Sequence, residues 1–516
     1  MDGEQKSGNL TGLYSAQEES LGVLPTTPVW KEREPNSYGD FGGTFAMTTR
    51  KPITHDRQSR KGEVSDNNPT AGYNEDFTLT NMIDPFQSFL FADAREKASS
   101  KPLNGTERTI TAVTATTFTA AAGLSVFLPG HIVLGSGFGD PNNNGIDIVT
   151  AAASGVLTVE GPREPEAAPP ATARLDAVGF MFGAGDLSIA VDLDSVQLVT
   201  VAGDFNTLGL VLGEFIGVGG DTAVTRFADT GNNAPFYGRV AAISADGKSL
   251  TLDKTSGVQA TDAGAGKEIQ IFFGTVIKNE DDCDLIKMRS FTFERQYGCG
   301  AGQEAEYVGG AVANQITLNI PTPGADAKVN IDLAYIATTS YERTEAEGVL
   351  AGDRIAALNE PAYKPGVNVY RNRLAVVDPV TLNPTPLVAY NQQMSLVINN
   401  NLGGNKAIET FGNSGINIGE FTVSGTATSY FNGVGVTRRV REGAELTWDM
   451  ILTKGNAAFA MDLASYGLGN AKANVAPNEP ITLPLEGSAG KGQFGYTLLT
   501  SFFRYVPTVL VANRTA

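Results

Sequence analysis

Apolar and polar residues alternate in many short runs, as in Ile316-Thr317-Leu318-Asn319-Ile320, Ile481-Thr482-Leu483-Pro484-Leu485 and Phe421-Thr422-Val423-Ser424. Gly, Pro, Asn or Asp flank these runs. Alternation between turn formers is the pattern of half-buried strands, whose successive side chains point to opposite faces. Helical spacing is rare. Asp84-Pro85 can open a helix, because Pro is tolerated in a first turn, and Phe86, Phe89 and Leu90 then fall at i, i+3 and i+4. This spacing predicts one short packed helix over about residues 84–97, with room for another in the connection 345–365. The fold class expected is mainly β.

The chain also resembles itself. Gly72-Tyr-Asn-Glu-Asp-Phe77-Thr78-Leu79 recurs as Gly415-Ile-Asn-Ile-Gly-Glu-Phe421-Thr422-Val423, and Tyr297-Gly298-Cys299-Gly300 as Tyr466-Gly467-Leu468-Gly469. An Ile-Thr-Leu run follows each of the latter, at Ile316 and Ile481, and then a strand ending in Tyr341-Glu342-Arg343 or Phe503-Arg504. The first pair is 343 residues apart (415 − 72) and the second 169 (466 − 297), so the first copy holds 174 extra residues (343 − 169). That insertion runs from near Leu103 to near Val276 and is itself doubled. Leu128 to Leu134, Asn142-Asn143-Asn144-Gly145 and Leu157-Thr158-Val159-Glu160 are echoed by Val211 to Ile216, Gly231-Asn232-Asn233 and Leu250-Thr251-Leu252-Asp253. Each half has the size of a small SH3-like β-barrel. The organisation expected is a first copy begun by residues 1–103, inserted tandem modules over 104–276 (about 104–180 and 181–276), the rest of the first copy over 277–345, a linker over 346–365 and a second copy over 366–516.

Charge and rare residues narrow the function. Of 516 residues, 38 are Lys or Arg and 56 Asp or Glu, a net charge of −18, which argues against holding a nucleic-acid backbone. The two histidines, His55 and His131, and two cysteines, Cys283 and Cys299, exclude most zinc sites, Fe–S clusters and disulfide scaffolds. Both thiols are expected to be unpaired. The first thirty residues lack a cationic start followed by an apolar core, and no run of eighteen apolar residues occurs, so the expectation is a cytoplasmically made protein that does not span a membrane.

Candidate chemical motifs all have plainer readings. Gly135-Ser136-Gly137-Phe138-Gly139 leads into the turn Asp140-Pro141-Asn142-Asn143-Asn144-Gly145 where a dinucleotide fingerprint requires a helix. Asp140, Asn142 and Asn144 resemble a calcium loop, but its twelfth position is Ala151 instead of Glu. Asp246-Gly247-Lys248-Ser249 lacks the first glycine of a phosphate loop, with Ala242 in that place, and reads as a hairpin turn. Gly487-Ser-Ala-Gly-Lys491 likewise reads as a link between strands. Glu280-Asp281-Asp282 with Asp284, and Asp192 with Asp194, are acidic neighbours of the kind that solvated turns carry. No catalytic residue, cofactor-binding residue or metal ligand is assigned, and no enzyme activity is expected. Two basic patches, Arg50-Lys51 with Arg57 and Arg60-Lys61, and Arg438-Arg439 with Arg441, are either solvated loops or contacts to an acidic surface of a neighbouring subunit.

Three segments together resemble a known family. Gly22-Val-Leu-Pro25-Thr-Thr-Pro28-Val-Trp30 is similar to the opening of siphophage tail tube proteins, the major tail proteins of phages with long non-contractile tails. Arg57 to Lys61, with Gly72 to Thr80 and the short helix, resembles that family's first sheet and helix. Phe291-Thr-Phe-Glu-Arg295-Gln-Tyr-Gly, with Ile316 to Ile320 and Val329 to Tyr341, resembles its later strands. The resemblance covers roughly residues 15–98 and 285–510. It implies two tandem tail-tube-type β-sandwich or barrel domains with the inserted β-barrel-like pair. It also implies a virion structural protein, assembled in the host bacterial cytoplasm, whose rings stack and conduct DNA during genome ejection through the host envelope. Two copies per chain then imply three chains per ring. Implied partners are other copies of the chain, a tape measure protein, a tail terminator protein and, transiently, viral DNA, with no membrane. The insert is expected to decorate the outside, with tubes surviving deletion of residues 105–275. The alternative is a β-rich binding module, an adhesin or a receptor-contacting or distal tail component. A carbohydrate-active enzyme is the third reading.

Overall fold

The computed structural model describes residues 6–53, 55, 58–192, 195–228, 235–257, 259–298, 303–376, 385–387 and 391–512. Strands β1 (Thr11–Gln17), β2 (Val29–Arg33), β3 (Pro35–Thr49) and β4 (Gly62–Asp76) precede helix α1 (Ile83–Phe89). Six strands follow: β5 (Ile110–Val113), β6 (Thr117–Ala120), β7 (His131–Ser136), β8 (Gly145–Ala152), β9 (Val156–Val159) and β10 (Arg174–Met181). Six more are β11 (Leu187–Asp192), β12 (Ser195–Thr200), β13 (Phe215–Val218), β14 (Phe236–Ile243), β15 (Ser249–Asp253) and β16 (Gln270–Phe272). Next come β17 (Thr275–Lys278), β18 (Ser290–Tyr297), β19 (Glu304–Ile320), β20 (Asn330–Ile336), β21 (Thr339–Arg343) and β22 (Asp353–Ile355). Helix α2 (Pro365–Asn368) leads to β23 (Val369–Val376), β24 (Thr385–Pro386), β25 (Asn391–Asn399), β26 (Gly403–Asn405), β27 (Gly415–Asn417) and β28 (Thr422–Tyr430). The chain ends with α3 (Gly435–Arg441), β29 (Leu446–Lys454), β30 (Ala457–Ala471), β31 (Thr482–Gly490), β32 (Leu498–Phe503) and α4 (Thr508–Ala512). The expected mainly-β class is the one observed.

Two compact units result. One comprises Met1–Ala92, Asp282–Pro365 and Gln392–Thr428, the other Asp93–Asp281, Gly366–Asn391 and Ser429–Ala516. In the first, β1 lies between β2 and β18, and the long strand β19 follows β18. The first half of β19 also pairs with β21, and its second half with β20 and β25. Tyr73, Phe293, Tyr335 and Phe89 fill this core, with the Phe293 and Tyr335 rings 4.8 Å apart and those of Phe89 and Tyr335 5.1 Å apart. Trp30 of the opening motif is fully buried against Tyr307, and its Nε1 donates to the Ala351 carbonyl at 3.1 Å.

In the second unit the pairing scheme repeats. Strand β23 pairs with β24 and β29, β29 with β30, and β30 then pairs with β32 along its first half and β31 along its second. Thus β1, β18, β19, β20 and β21 correspond to β23, β29, β30, β31 and β32. The twelve strands β5 to β16 are doubled too. They run in the order β11-β12-β15-β14-β13-β16-β10-β7-β8-β9-β6-β5, which is one six-strand arrangement traversed twice and joined where β10 meets β16.

The correspondence shifts the register read from the sequence. Tyr297 ends β18 whereas Tyr466 lies inside β30, and Ile316 lies in β19 whereas Thr482 begins β31, the counterpart of β20. The endings Tyr341-Glu342-Arg343 and Phe503-Arg504 do fall at corresponding strands. Helix α1 is shorter than the predicted 84–97: Phe91 adopts φ +48°, and the Arg95 N–H then bonds the Val276 carbonyl at 2.7 Å in extended conformation. The connection 345–365 contributes β22, parallel to β2.

Candidate assembly site

Strands β3 and β4 form a 15-residue ribbon, closed at Thr49 opposite Gly62 and opened at Pro35 opposite Glu75. The root of β4, Thr70 to Asp76, is paired on both edges, by β3 and β20. Towards the tip β3 and β4 have only each other among the described pairings. A lone two-stranded ribbon is marginal in water, and this one exposes Phe45 (50%), Met47 (68%) and Val64 (53%). Phe411, itself half-exposed, stacks on Phe45 at 6.1 Å, and Lys406 ties its segment down through Asp66 at 2.8 Å. Arg50, Lys51, Ile53 and Lys61 extend the exposed surface past the strand ends. Such an apolar patch with a charged rim is what an interaction surface presents.

At the root, a cavity of about 260 Å³ is lined by Glu32, Arg33, Glu34, Glu75, Asp76 and Glu360, among others. Glu75 is buried, and its carboxylate keeps one oxygen without a hydrogen-bond partner; the Thr78 hydroxyl, also buried, is likewise unpartnered. Burial pushes the Glu75 carboxyl up to about 7, although the Arg33 guanidinium opposes the shift. The folded state therefore holds a proton that the unfolded chain releases, so Glu75 costs stability as pH rises from about 4.5 to 7. Glu75→Gln should stabilise the first unit by roughly 1–3 kcal/mol at pH 8 and very little at pH 4. Denaturant titrations at both values check this; equal effects would contradict it.

The second unit joins its twelve-strand layer to the second strand set through a buried apolar seam. Ile132, Val178, Phe215, Tyr237 and Phe272 pack in one buried cluster with Tyr370, Ile451, Ala458, Ala460 and Phe503. Gly213, at φ +92°, lies so close to Tyr496 that a Cβ there would come within 2.4 Å of its ring. Charges are buried beside this seam. Asp462 on β30 accepts from Arg239 at 2.9 Å, Lys254 at 2.5 Å and the Tyr496 hydroxyl at 2.7 Å, and Arg239 also holds Asp253 at 2.5 Å. Asp449 on β29 holds Arg371 at 2.6 Å and Arg373 at 3.1 Å. Burial would raise the Asp462 carboxyl, but Lys254 and Arg239 outweigh it and hold it at about 2. The insert is therefore a packed layer of this unit. Removing it would strip a hydrophobic face from the second strand set and two cationic partners from Asp462 on β30.

The sequence-level candidates resolve into structural roles. Gly137 takes φ +72° in the turn after β7, where Asp140 accepts the Asn142 N–H at 2.9 Å and caps a three-residue 3-10 helix. Asn144 accepts the Phe138 N–H at 3.0 Å. Asp246 closes the β14–β15 hairpin by accepting the Lys248 N–H, and Lys248 Nζ donates to the Gly203 carbonyl at 2.6 Å. Gly487 to Gly490 lie within β31, and Lys491 pairs with Asp281 at 3.0 Å. Glu280 pairs with Arg95 at 2.5 Å, and Asp282 caps the Asp284 N–H at 3.0 Å beside the exposed thiol of Cys283. Among the described residues, Asp282, Cys283 and Asp284 are the only close trio of acidic or thiol ligands, and all three are exposed turn residues. Asp192 ends β11. Asp194, Arg57 and Cys299 lie outside the described residues. His55 is exposed; His131 is buried, which lowers it to about 4, and its Nδ1 accepts the Leu128 N–H at 3.1 Å. The two basic patches are not equivalent: Arg50, Lys51, Arg60 and Lys61 flank the ribbon tip, whereas Arg438, Arg439 and Arg441 lie on α3, two of them paired with Glu442. No helix among the described residues is long and apolar enough to cross a membrane.

Sequence reasoning missed the Glu75 cavity and the Asp462 network. Glu75 belongs to the repeated Gly72–Leu79 segment, but strand alternation alone cannot distinguish a buried acid from a solvated one. A model of the phage tail tube protein family matches residues 183–489, which begin between the two halves of the insert and run into β31. No curated protein matches the chain.

Proposed function

The chain belongs to the phage tail tube protein family, and from that premise we propose that it is the structural subunit of a long, flexible, non-contractile siphovirus tail. Three chains form a ring of six similar domains, and stacked rings enclose a lumen that conducts DNA during ejection. The observation that carries this reading is the repeated strand scheme: one chain supplies two pieces of similar topology, as half the number of chains in a sixfold ring would need to. Pairing between neighbouring pieces would also cover strand edges that otherwise invite uncontrolled association. The net charge of −18 suits a wall past which a polyanion slides, since a cationic wall would bind it by counterion release.

The chain performs no catalysis in this reading. Its boundaries are a first tube domain over 1–103 and 277–345 interrupted by the tandem modules of 104–276, a linker over 346–365 and a second tube domain over 366–516. The insert faces outward, because 174 residues per chain do not fit a DNA-sized lumen. A tape measure protein inside and a terminator protein at the end are the further partners, and assembly takes place in the host cytoplasm. Native mass spectrometry of isolated rings should give three chain masses; six chains per ring would overturn the pseudo-sixfold arrangement.

A further inference from the structure

The two strand sets differ at one edge. Phe77 follows β4, and its N–H donates to the carbonyl of Val329, the residue before β20, at 2.8 Å; Phe431 follows β28, and its N–H donates to the carbonyl of Ile481, the residue before β31, at 3.0 Å. Because β31 corresponds to β20, the two places are equivalent. In the first set the backbone of Tyr363 completes the pair: its N–H donates to the Phe77 carbonyl at 3.1 Å, and its carbonyl accepts from the Val329 N–H at 2.9 Å. The Phe77 and Tyr363 rings lie 5.6 Å apart, and Phe77, Val329 and Tyr363 are all buried. Among the described residues nothing takes that place in the second set, where neither the Phe431 carbonyl nor the Ile481 N–H has a backbone partner. Tyr430 and Ile481 are exposed, as are Val434 (74%), three residues after Phe431, and Val475 (75%), beside the Asn474–Thr482 bridge. The chain after β32 buries Leu510 of α4 in the seam with the insert instead.

We infer that residues 1–7 of a second copy lie across this open edge and complete it as residues 360–363 complete the first. This rests on the ring reading above. Tyr363 stands six residues before β23, and Gln5 stands six before β1, the strand to which β23 corresponds. A short helical turn intervenes in both, Pro365–Asn368 and Gly8–Leu10. Within the chain, the lead into the second strand set completes the first set. The lead into the first set therefore has the sequence place that fits the edge of the second, and another chain supplies it when copies follow one another head to tail around a ring. Backbone bonds hold Tyr363, so the contact asks for an extended segment and not for a tyrosine. Charge agrees with this occupant. Glu360 accepts the Thr80 N–H at 2.8 Å where the chain approaches α1, and Asp2 has the corresponding place, three residues before Gln5. Asp2 and Glu4 would meet the exposed Arg441 of α3 and Lys472, whose neighbour Ala471 accepts from Thr437 of α3 at 3.4 Å.

The test uses the full-length protein under assembly conditions. Gln5→Cys/Ile481→Cys in a Cys283→Ser/Cys299→Ser background places two thiols at neighbouring-strand distance, within the reach of a disulfide. Oxidised rings should run as covalently linked chains on a denaturing, non-reducing gel. Rings whose chains stay separate, or in which each chain links only to itself, would overturn the inference, whereas a wild type that forms no rings would overturn the tube reading itself. Removing residues 2–7 provides a second measurement: it should raise the concentration needed for half-assembly by roughly tenfold or more while leaving the melting temperature of the unassembled chain unchanged. Asp2→Lys/Glu4→Lys should weaken assembly in the same direction, and adding Arg441→Glu/Lys472→Glu should restore it. Assembly of the shortened chain at the wild-type concentration would overturn the inference.

Discussion

Asp462→Asn should destabilise the second unit by about 3–5 kcal/mol, the scale expected when one member of a buried charge network is removed. Arg239 and Lys254 would each lose a buried carboxylate, and the Tyr496 hydroxyl would lose its charged acceptor. The Arg239 guanidinium would keep Asp253, but Lys254 would be left with the neutral Thr447 hydroxyl. Acid should produce a weaker version of the same loss. With Asp462 held at about 2 against an ordinary carboxyl near 4, its contribution is complete above about pH 4 and fades as pH falls through 2. Thermal melts of wild type and variant at pH 7 and pH 3 check both statements. A variant within about 1 kcal/mol of wild type at pH 7 would show the network to be dispensable.

Deleting residues 105–275 should leave a chain that aggregates and builds no tubes. The deletion removes Ile132, Val178, Phe215, Tyr237 and Phe272 from the seam and uncovers Tyr370, Ile451 and Phe503. Each large apolar side chain returned to water costs about 1.5–3 kcal/mol, so several together exceed the stability that an ordinary domain has to spare. The deletion also takes Arg239 and Lys254 away from Asp462, leaving a carboxylate with its charge partners gone. An insert can face outward in a ring and still be indispensable to the domain that carries it. Solubility and near-ultraviolet circular dichroism of the deleted chain are the measurements. A soluble, cooperatively melting product that assembles would restore the view of the insert as removable decoration.

How legible these features were in the sequence depends on whether the signal was local. The doubling of the insert could be read because Leu157-Thr158-Val159 and Leu250-Thr251-Leu252 are short strands bounded by turns, and they occupy the same place in the two six-strand sets. The duplication of the outer copies was visible but out of register. Tyr-Gly-x-Gly marks a strand end at Tyr297 and a strand interior at Tyr466, so shared residues concealed unlike positions. Phe89-Leu90-Phe91-Ala92 reads as a continuing helix from its apolar content; all four residues are buried, and the positive φ of Phe91 turns the chain instead. The charge networks were not readable. Asp462 and Arg239 are separated by more than two hundred residues, and a charged residue on a strand is ordinarily read as facing solvent. Glu75 shows the same limit at the ribbon root, where it shares the face of β4 that carries the buried Ala71 and Tyr73 although its charge argues for solvent.

Cryo-electron microscopy of the purified full-length protein over a range of concentrations tests the central claim most directly. Hollow rings roughly one hundred ångströms across, each built of three chains and stacking coaxially into tubes, are the predicted result. A monomer that persists at every concentration under assembly conditions would contradict it.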